Sequence, residues 1–118
     1  MLLVRGVGGL NFKFPGGLIE DSENLKESAK RETNEEIGCK VDIVSDPYFY
    51  IFKPNDNLTI LLVHYQANII EGVPSPNTEI EEVKWFDLRK LPQNVFENVS
   101  IVLDSLYNEL EGSCADVE

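Results

Sequence analysis

Residues 16–39 read GGLIEDSENLKESAKRETNEEIGC, and the three glutamates at 32, 35 and 36 decide how the chain is read. Asp21 or Ser22 can cap a helix, Glu23 suits its first turn, and Gly38 follows Ile37 as a C-terminal stop should, so the pattern predicts a helix over Ser22–Ile37. At 3.6 residues per turn, Leu25, Ala29, Thr33 and Ile37 form its core-facing stripe. Glu36 falls within that stripe, Glu32 at its edge and Glu35 further round, so two of the three carboxylates are expected to be at least partly withdrawn from water. Clustered carboxylates in such a place are costly unless neutralised, and Arg31 on the flank supplies only one positive charge. A divalent cation resolves the conflict. A few hard oxygen ligands on a rigid helix, with room for waters and a phosphate, fit Mg²⁺ better than a closed calcium cage. The plainer reading is a solvated acidic face, the usual fate of charge runs on helices.

The bulk composition narrows the setting. At 118 residues the chain makes a single domain over 1–111, followed by an acidic tail at 112–118 expected to be disordered. A net charge of −11 argues against nucleic acid or an anionic membrane as partner. No apolar run approaches the roughly 20 residues of a membrane span, and the opening MLLV is too short for a signal peptide, so a cytoplasmic location is expected. Cys39 and Cys114 lack the spacing of a zinc site or a disulfide pair.

Outward from the helix, strands are expected at Leu2–Arg5, Val41–Ser45, Tyr48–Lys53, Leu58–Ala67 and Val83–Phe86, with Leu58–Ala67 the central one. Phe12–Phe14 is a further extended stretch. Pro54-Asn55-Asp56-Asn57 reads as a turn, and Ile69–Thr78 as an irregular loop. Val95–Leu110 carries apolar residues at amphipathic spacing and is expected to cover the sheet. The order of elements suggests an α/β or α+β sandwich on a mixed sheet.

The full spacing of the opening stretch is G-x5-E-x7-R-E-x-x-E-E-x-G, carried by Gly17, Glu23, Arg31, Glu32, Glu35, Glu36 and Gly38. Under uniform residue usage, these fixed positions recur by chance on the order of once in a billion starts. The stretch resembles the signature box of the Nudix hydrolases (the MutT-like superfamily), with Thr33 and Cys39 standing at two positions where the family has an aliphatic residue. Phe14-Pro15-Gly16-Gly17 and Glu20 resemble the family's approach to the box, with Phe12 or Phe14 in place of its common Trp. Glu79 to Phe86 is similar to its late strand, so the resemblance spans about Leu2 to Leu110.

The resemblance implies an α/β/α sandwich and an enzyme dependent on Mg²⁺ or Mn²⁺ that acts on a phosphorus-containing anhydride. Its substrate would be the diphosphate link of a nucleoside diphosphate derivative. Carried over, Glu32 and Glu36 are metal ligands, and Glu35 is a ligand or a water-activating neighbour. The Gly16 carbonyl completes the shell, Arg31 and Glu23 pair to orient the cluster, and Gly17 and Gly38 frame it. Glu79 is the candidate late-loop base or extra ligand, with Glu81 and Glu82 as competitors. Members generally carry a strand ahead of the one that begins here at Met1, so the sheet looks short by one strand. A homodimer that completes it, a covered edge, or a start other than the natural one would each account for this.

Substrate contacts are less specific in the sequence. Arg5, Lys13 and Lys53 are candidate phosphate or ribose contacts, Tyr48, Phe49, Tyr50 and Phe52 offer residues for a base-stacking wall, and Phe12 is a further candidate substrate contact. Pro54 stands fifteen residues beyond Cys39, where relatives that cleave ADP-ribose often have proline, and this tips the expectation toward ADP-ribose or a similar nucleotide sugar. A sanitising (d)NTP pyrophosphatase is the alternative, dinucleoside polyphosphates come third, and a non-hydrolysing nucleotide-binding sensor uses the same scaffold. His64, the lone histidine, reads as structural more readily than catalytic. Asn94 and Asn98 are marginal base contacts, Asn94 suiting a helix entry better.

Overall fold

The computed structural model describes residues 1–17 and 19–117, without the side chains of Tyr107 and residues 109–117. In chain order the elements are β1 (Leu2–Gly6), α1 (Leu25–Ile37), β2 (Lys40–Ile43), β3 (Tyr48–Asn55), β4 (Leu58–His64), β5 (Ala67–Glu71), β6 (Ile80–Trp85) and α2 (Glu97–Val117). The pairs β1–β6, β2–β5 and β3–β4 are antiparallel. On its other edge β1 bonds Lys13, with Val4 N–H donating to the Lys13 carbonyl at 2.9 Å and Lys13 N–H returning to Val4 at 2.8 Å. Phe12 in turn bridges Val95 in parallel sense, so the central layer is mixed, as expected.

Side chains alternate across β1, and that alternation makes the sandwich. Leu3 packs with Phe12, Val99 and Leu103 beneath α2, while Val4 packs with Ile37, Cys39 and Ile80 beneath α1. Leu3 and Val4 are both fully buried, one in each core. Phe12 meets Phe86 edge-on with ring centroids 5.0 Å apart, closing the α2 side. No helix of the described residues is long and apolar enough to cross a membrane.

Several expected boundaries shift. The helix starts at Leu25, because Asn24 and not Asp21 or Ser22 is its cap. Ser22 sits at φ 71°, away from the extended backbone an N-cap needs, whereas Asn24 is extended and its Oδ1 accepts from Glu27 N–H at 2.9 Å. Glu27 reciprocates by accepting from Asn24 Nδ2 at 3.1 Å. The C-terminal stop stands as expected: Gly38 has φ 73° and its N–H donates to the Asn34 carbonyl at 2.9 Å. The inward stripe is also rotated. Leu25 is exposed, and Ser28, Glu36 and Ile37 are the buried positions.

The expected central strand Leu58–Ala67 is two strands. Gln66 turns the chain between them, its N–H donating to Ser45 Oγ at 2.8 Å and its carbonyl accepting from Val44 N–H at 2.9 Å. β4 pairs only with β3 among the described residues, and Phe49, Ile51 and Leu61 stay exposed on that hairpin, so it is not central. β5 takes up Ile69 to Glu71, which had read as loop, by pairing with β2. β3 runs through Pro54 to Asn55, so the turn is shorter than expected and is tightened by Asn57 N–H donating to Asn55 Oδ1 at 2.9 Å. β6 begins earlier, at Ile80. The bounds of α2 run to Val117, and the side chains of the expected 112–118 tail lie outside the described residues.

The cap assignment has a direct test. Asn24→Ala should cost about 1 kcal/mol of unfolding free energy, while Asp21→Ala and Ser22→Ala should each stay within about 0.5 kcal/mol. Urea unfolding of the three variants measures this.

Candidate active site

The glutamates are arranged by one arginine. Arg31 grips Glu23 with two nitrogens, Nε to Oε2 at 2.7 Å and Nη2 to Oε1 at 3.1 Å. Its Nη1 reaches Glu32 at 2.9 Å, Glu35 at 3.0 Å and Glu20 at 3.5 Å. The fork-on-carboxylate contact with Glu23 is the geometry that suits guanidinium best. It makes Arg31 an even stronger base than usual, Glu23 contributing most, and holds the Glu23 carboxyl below its ordinary value. The Glu20 N–H donates to Glu23 Oε1 at 3.0 Å, fastening the approach segment to the same hub. The expected Arg31–Glu23 pair is therefore present, and Arg31 serves four carboxylates.

The three box glutamates differ in burial. The Glu36 side chain is 9% exposed and that of Glu32 17%, whereas Glu35 is 58% exposed. Burial pushes the Glu36 carboxyl above its ordinary value, opposed by the Lys13 ammonium and the Gly16 amide, and reinforced by the charges of Glu32 and Glu79. Lys13 Nζ stands 3.9 Å from Glu36 Oε1. Glu36 Oε2 is buried and has no hydrogen-bond partner. A buried carboxylate oxygen without a partner is rare and calls for a ligand.

Gly17 lies against the Glu32 carboxylate so closely that a Cβ at this position would overlap it. The donor set is oxygen only, which suits a hard divalent cation. Among the described residues no three acidic, histidine or cysteine side chains converge to cage an ion. Mg²⁺ needs no such cage, being commonly held by one or two carboxylates with waters and substrate phosphates completing the octahedron. Glu36 and Glu32 fit that arrangement.

Other expected site residues are dispersed. Arg5 is engaged by Glu81 at 2.8 Å, Glu82 at 3.1 Å and the Gly9 carbonyl at 3.0 Å, on the β1–β6 pair. Phe12 is core. Tyr50 is half-buried, and Phe52, Lys53 and Pro54 are exposed, all on the β3–β4 hairpin. His64, held neutral by burial, meets Asn98 at 3.1 Å through Nε2 and packs edge-on to Phe14, ring centroids 5.2 Å apart. It braces the segment leading to Gly16, a structural role. Asn94 donates to the Leu10 carbonyl at 2.9 Å, at the entry to α2.

Two participants were not legible as such in the sequence. Lys13 is the counter-ion of Glu36, an assignment that needs the bridge to β1 to be known. Asn77 bonds both the end of α1 and the backbone of Glu79; its place two residues before Glu79 is the spacing of an Asx turn, a signal for the turn but not for the reach to the helix. A hollow of about 440 Å³ lined by Leu88, Leu91, Leu103 and Leu106 lies against α2, and none of the glutamates borders it.

Residues 1–105 match the NUDIX domain family model. The chain is similar to the oxidized purine nucleoside triphosphate hydrolase of Mus musculus, 32% identical over 91 residues, which covers 75% of this chain and 56% of that protein. It is likewise similar to the ADP-ribose pyrophosphatase of Methanocaldococcus jannaschii, 28% identical over 94 residues, covering 79% and 56%. The chain thus spans little more than half the length of these curated relatives. In fold it matches the Ap4A hydrolase of C. elegans with a TM-score of 0.76 at 18% identity, covering 94% of this chain and 85% of that one.

The burial of Glu36 predicts a pH signature in the protein stripped of divalent metal. Because the folded state raises this carboxyl above its ordinary 4.5, its contribution to stability is complete below that value and is lost as pH rises through the folded one. Glu36→Gln should therefore unfold at a higher urea concentration than wild type at pH 7, with the gap closing below pH 4.5. Urea midpoints across that range, in chelator, check it.

Proposed function

The chain belongs to the Nudix family, and from that premise we propose that it is a pyrophosphohydrolase dependent on Mg²⁺ or Mn²⁺. It would cleave the diphosphate link of a nucleoside diphosphate derivative. One observation carries the reading: the unpartnered, buried Oε2 of Glu36, set among Glu32, Glu79 and Lys13. Nudix hydrolases generally use divalent metal ions, and Glu36 and Glu32 are the residues that would hold one here.

When bound, the ion neutralises the anionic oxygens that shield a diphosphate from water. The chain does the rest. Arg31 fixes the directions of Glu32 and Glu35, so these carboxylates need little reorganisation when the substrate arrives. Glu35 and Glu79 are both open to solvent, which suits them to take the proton of the attacking water. Lys13, 3.9 Å from Glu36 Oε1, would offer its ammonium to a phosphate oxygen of the substrate. Gly17, bare of side chain, lets the backbone approach the Glu32 carboxylate.

A nucleotide sugar such as ADP-ribose is the favoured substrate class, in line with Pro54 and with the name of the archaeal relative. The 32% identity with the mouse relative favours a second reading, hydrolysis of a nucleoside triphosphate. A panel of ADP-ribose, UDP-sugars, dinucleoside polyphosphates and (d)NTPs with Mg²⁺, scored for AMP, phosphate or diphosphate, separates the two. Glu36→Gln should lower kcat/KM on the hydrolysed compound by about a hundredfold or more. Mg²⁺ or Mn²⁺ should stabilise wild type in a saturable way, by about 2.7 kcal/mol at a hundred times its Kd, and leave Glu36→Gln nearly unmoved. A wild type that hydrolyses nothing and shows no saturable response overturns the reading.

A further inference from the structure

The last carbonyls of a helix have no partner within it, and something else must satisfy them. At the end of α1 the loop between β5 and β6 does so. Ser75 N–H donates to the Ile37 carbonyl at 3.2 Å, and Asn77 Nδ2 donates to the carbonyl of Glu35. The other half of the same Asn77 amide points forward. Its Oδ1 accepts from Glu79 N–H at 2.8 Å and Ile80 N–H at 2.7 Å, and Asn77 N–H donates to the Ile80 carbonyl at 3.1 Å. The opposite side of this turn is fastened to β1, where Val7 N–H donates to the Glu79 carbonyl at 3.0 Å. One side chain thus ties the helix of box glutamates to the backbone that carries Glu79. That matters because Glu79 stands near enough to Glu36 for the two charges to oppose each other, a strain the chain would shed if the loop were loose.

We propose that Asn77 is a positioning residue that holds Glu79 against the glutamate helix, through its bonds to the Glu35 carbonyl and to the Glu79 amide. This rests on the pyrophosphohydrolase reading above, in which Glu79 stands beside Glu36 and is suited to take the proton of the attacking water. Asn77 itself touches neither; it fixes how far Glu79 stands from Glu36. Misplacement of a reacting group by about 1 Å can cost a hundredfold in rate, so a strut of this kind has kinetic weight without large thermal weight.

The test is a double-mutant cycle. Asn77→Ala removes both sets of bonds, whereas Asn77→Asp keeps the accepting oxygen of the turn and loses the amide that reaches the helix. Each is made in wild type and in Glu79→Gln, with folding checked by circular dichroism. Activity is measured on ADP-ribose and on dGTP with Mg²⁺, and Mn²⁺ binding is followed by melting temperature without substrate. Each Asn77 variant should lower kcat about tenfold or more, change KM less than about threefold, and raise the Mn²⁺ midpoint by about threefold. In Glu79→Gln the same substitutions should alter kcat and the midpoint by less than about twofold. Losses that multiply in full, a wild-type-like Asn77→Asp, or a silent Glu79→Gln each overturn the proposal. If wild type hydrolyses none of the compounds of the panel above while the Mn²⁺ coupling persists, the enzymatic reading fails and the positioning role stands.

Discussion

A carboxylate almost completely removed from water, with one oxygen lacking any partner, is the constraint around which this molecule is built. Glu36 is one of the buried positions of α1, with Ser28 and Ile37, and its Oε2 has no partner. Burial, Glu32 and Glu79 oppose its charge and outweigh Lys13 and the Gly16 amide, which favour it. Natural sequences tolerate such local conflict chiefly where function requires it. The Arg31 hub serves the same end by gathering Glu20, Glu23, Glu32 and Glu35 on one guanidinium.

The sandwich explains how distant segments meet at that point. β1 is the shared wall, with β6 on one edge and Lys13 on the other. The Lys13 bridge fixes where the following Pro-Gly-Gly turn begins and so brings Gly16 and Gly17 over the glutamates. The β6 pairing fixes where the preceding loop ends and so brings Glu79 to the same place. The two cores on either face of β1 supply the burial that keeps this register, because a slip of one residue would exchange Leu3 and Val4 between them.

The box glutamates were legible in the sequence because their chemistry conflicts with their helical position, and that conflict survives an error in locating the stripe. The stripe itself was misplaced: Leu25 looked like an anchor by type, yet it sits in the exposed first turn, and Ser28 is buried in its stead. Gly38 was legible because few residues other than glycine stop a helix in the left-handed conformation. The break at Gln66 was not, because a run of strand-forming residues hides a turn made by a partner at Ser45. Lys13 and Asn77 depend on contacts across the fold, which no local pattern encodes. Arg5, which by type alone looked like an available cation, is engaged by Glu81 and Glu82, again through contacts across the fold.

The contact between Gly17 and the Glu32 carboxylate gives that glycine an unusual character. Most invariant-looking glycines are needed for a backbone torsion, and asparagine or aspartate can often stand in for them. Here the issue is room, not torsion: even alanine's methyl would press on the Glu32 carboxylate that Arg31 holds, and that carboxylate would have to shift. A side chain at this position would thus be felt first at the movable carboxylate of Glu32, on the helix, rather than in the backbone of the turn.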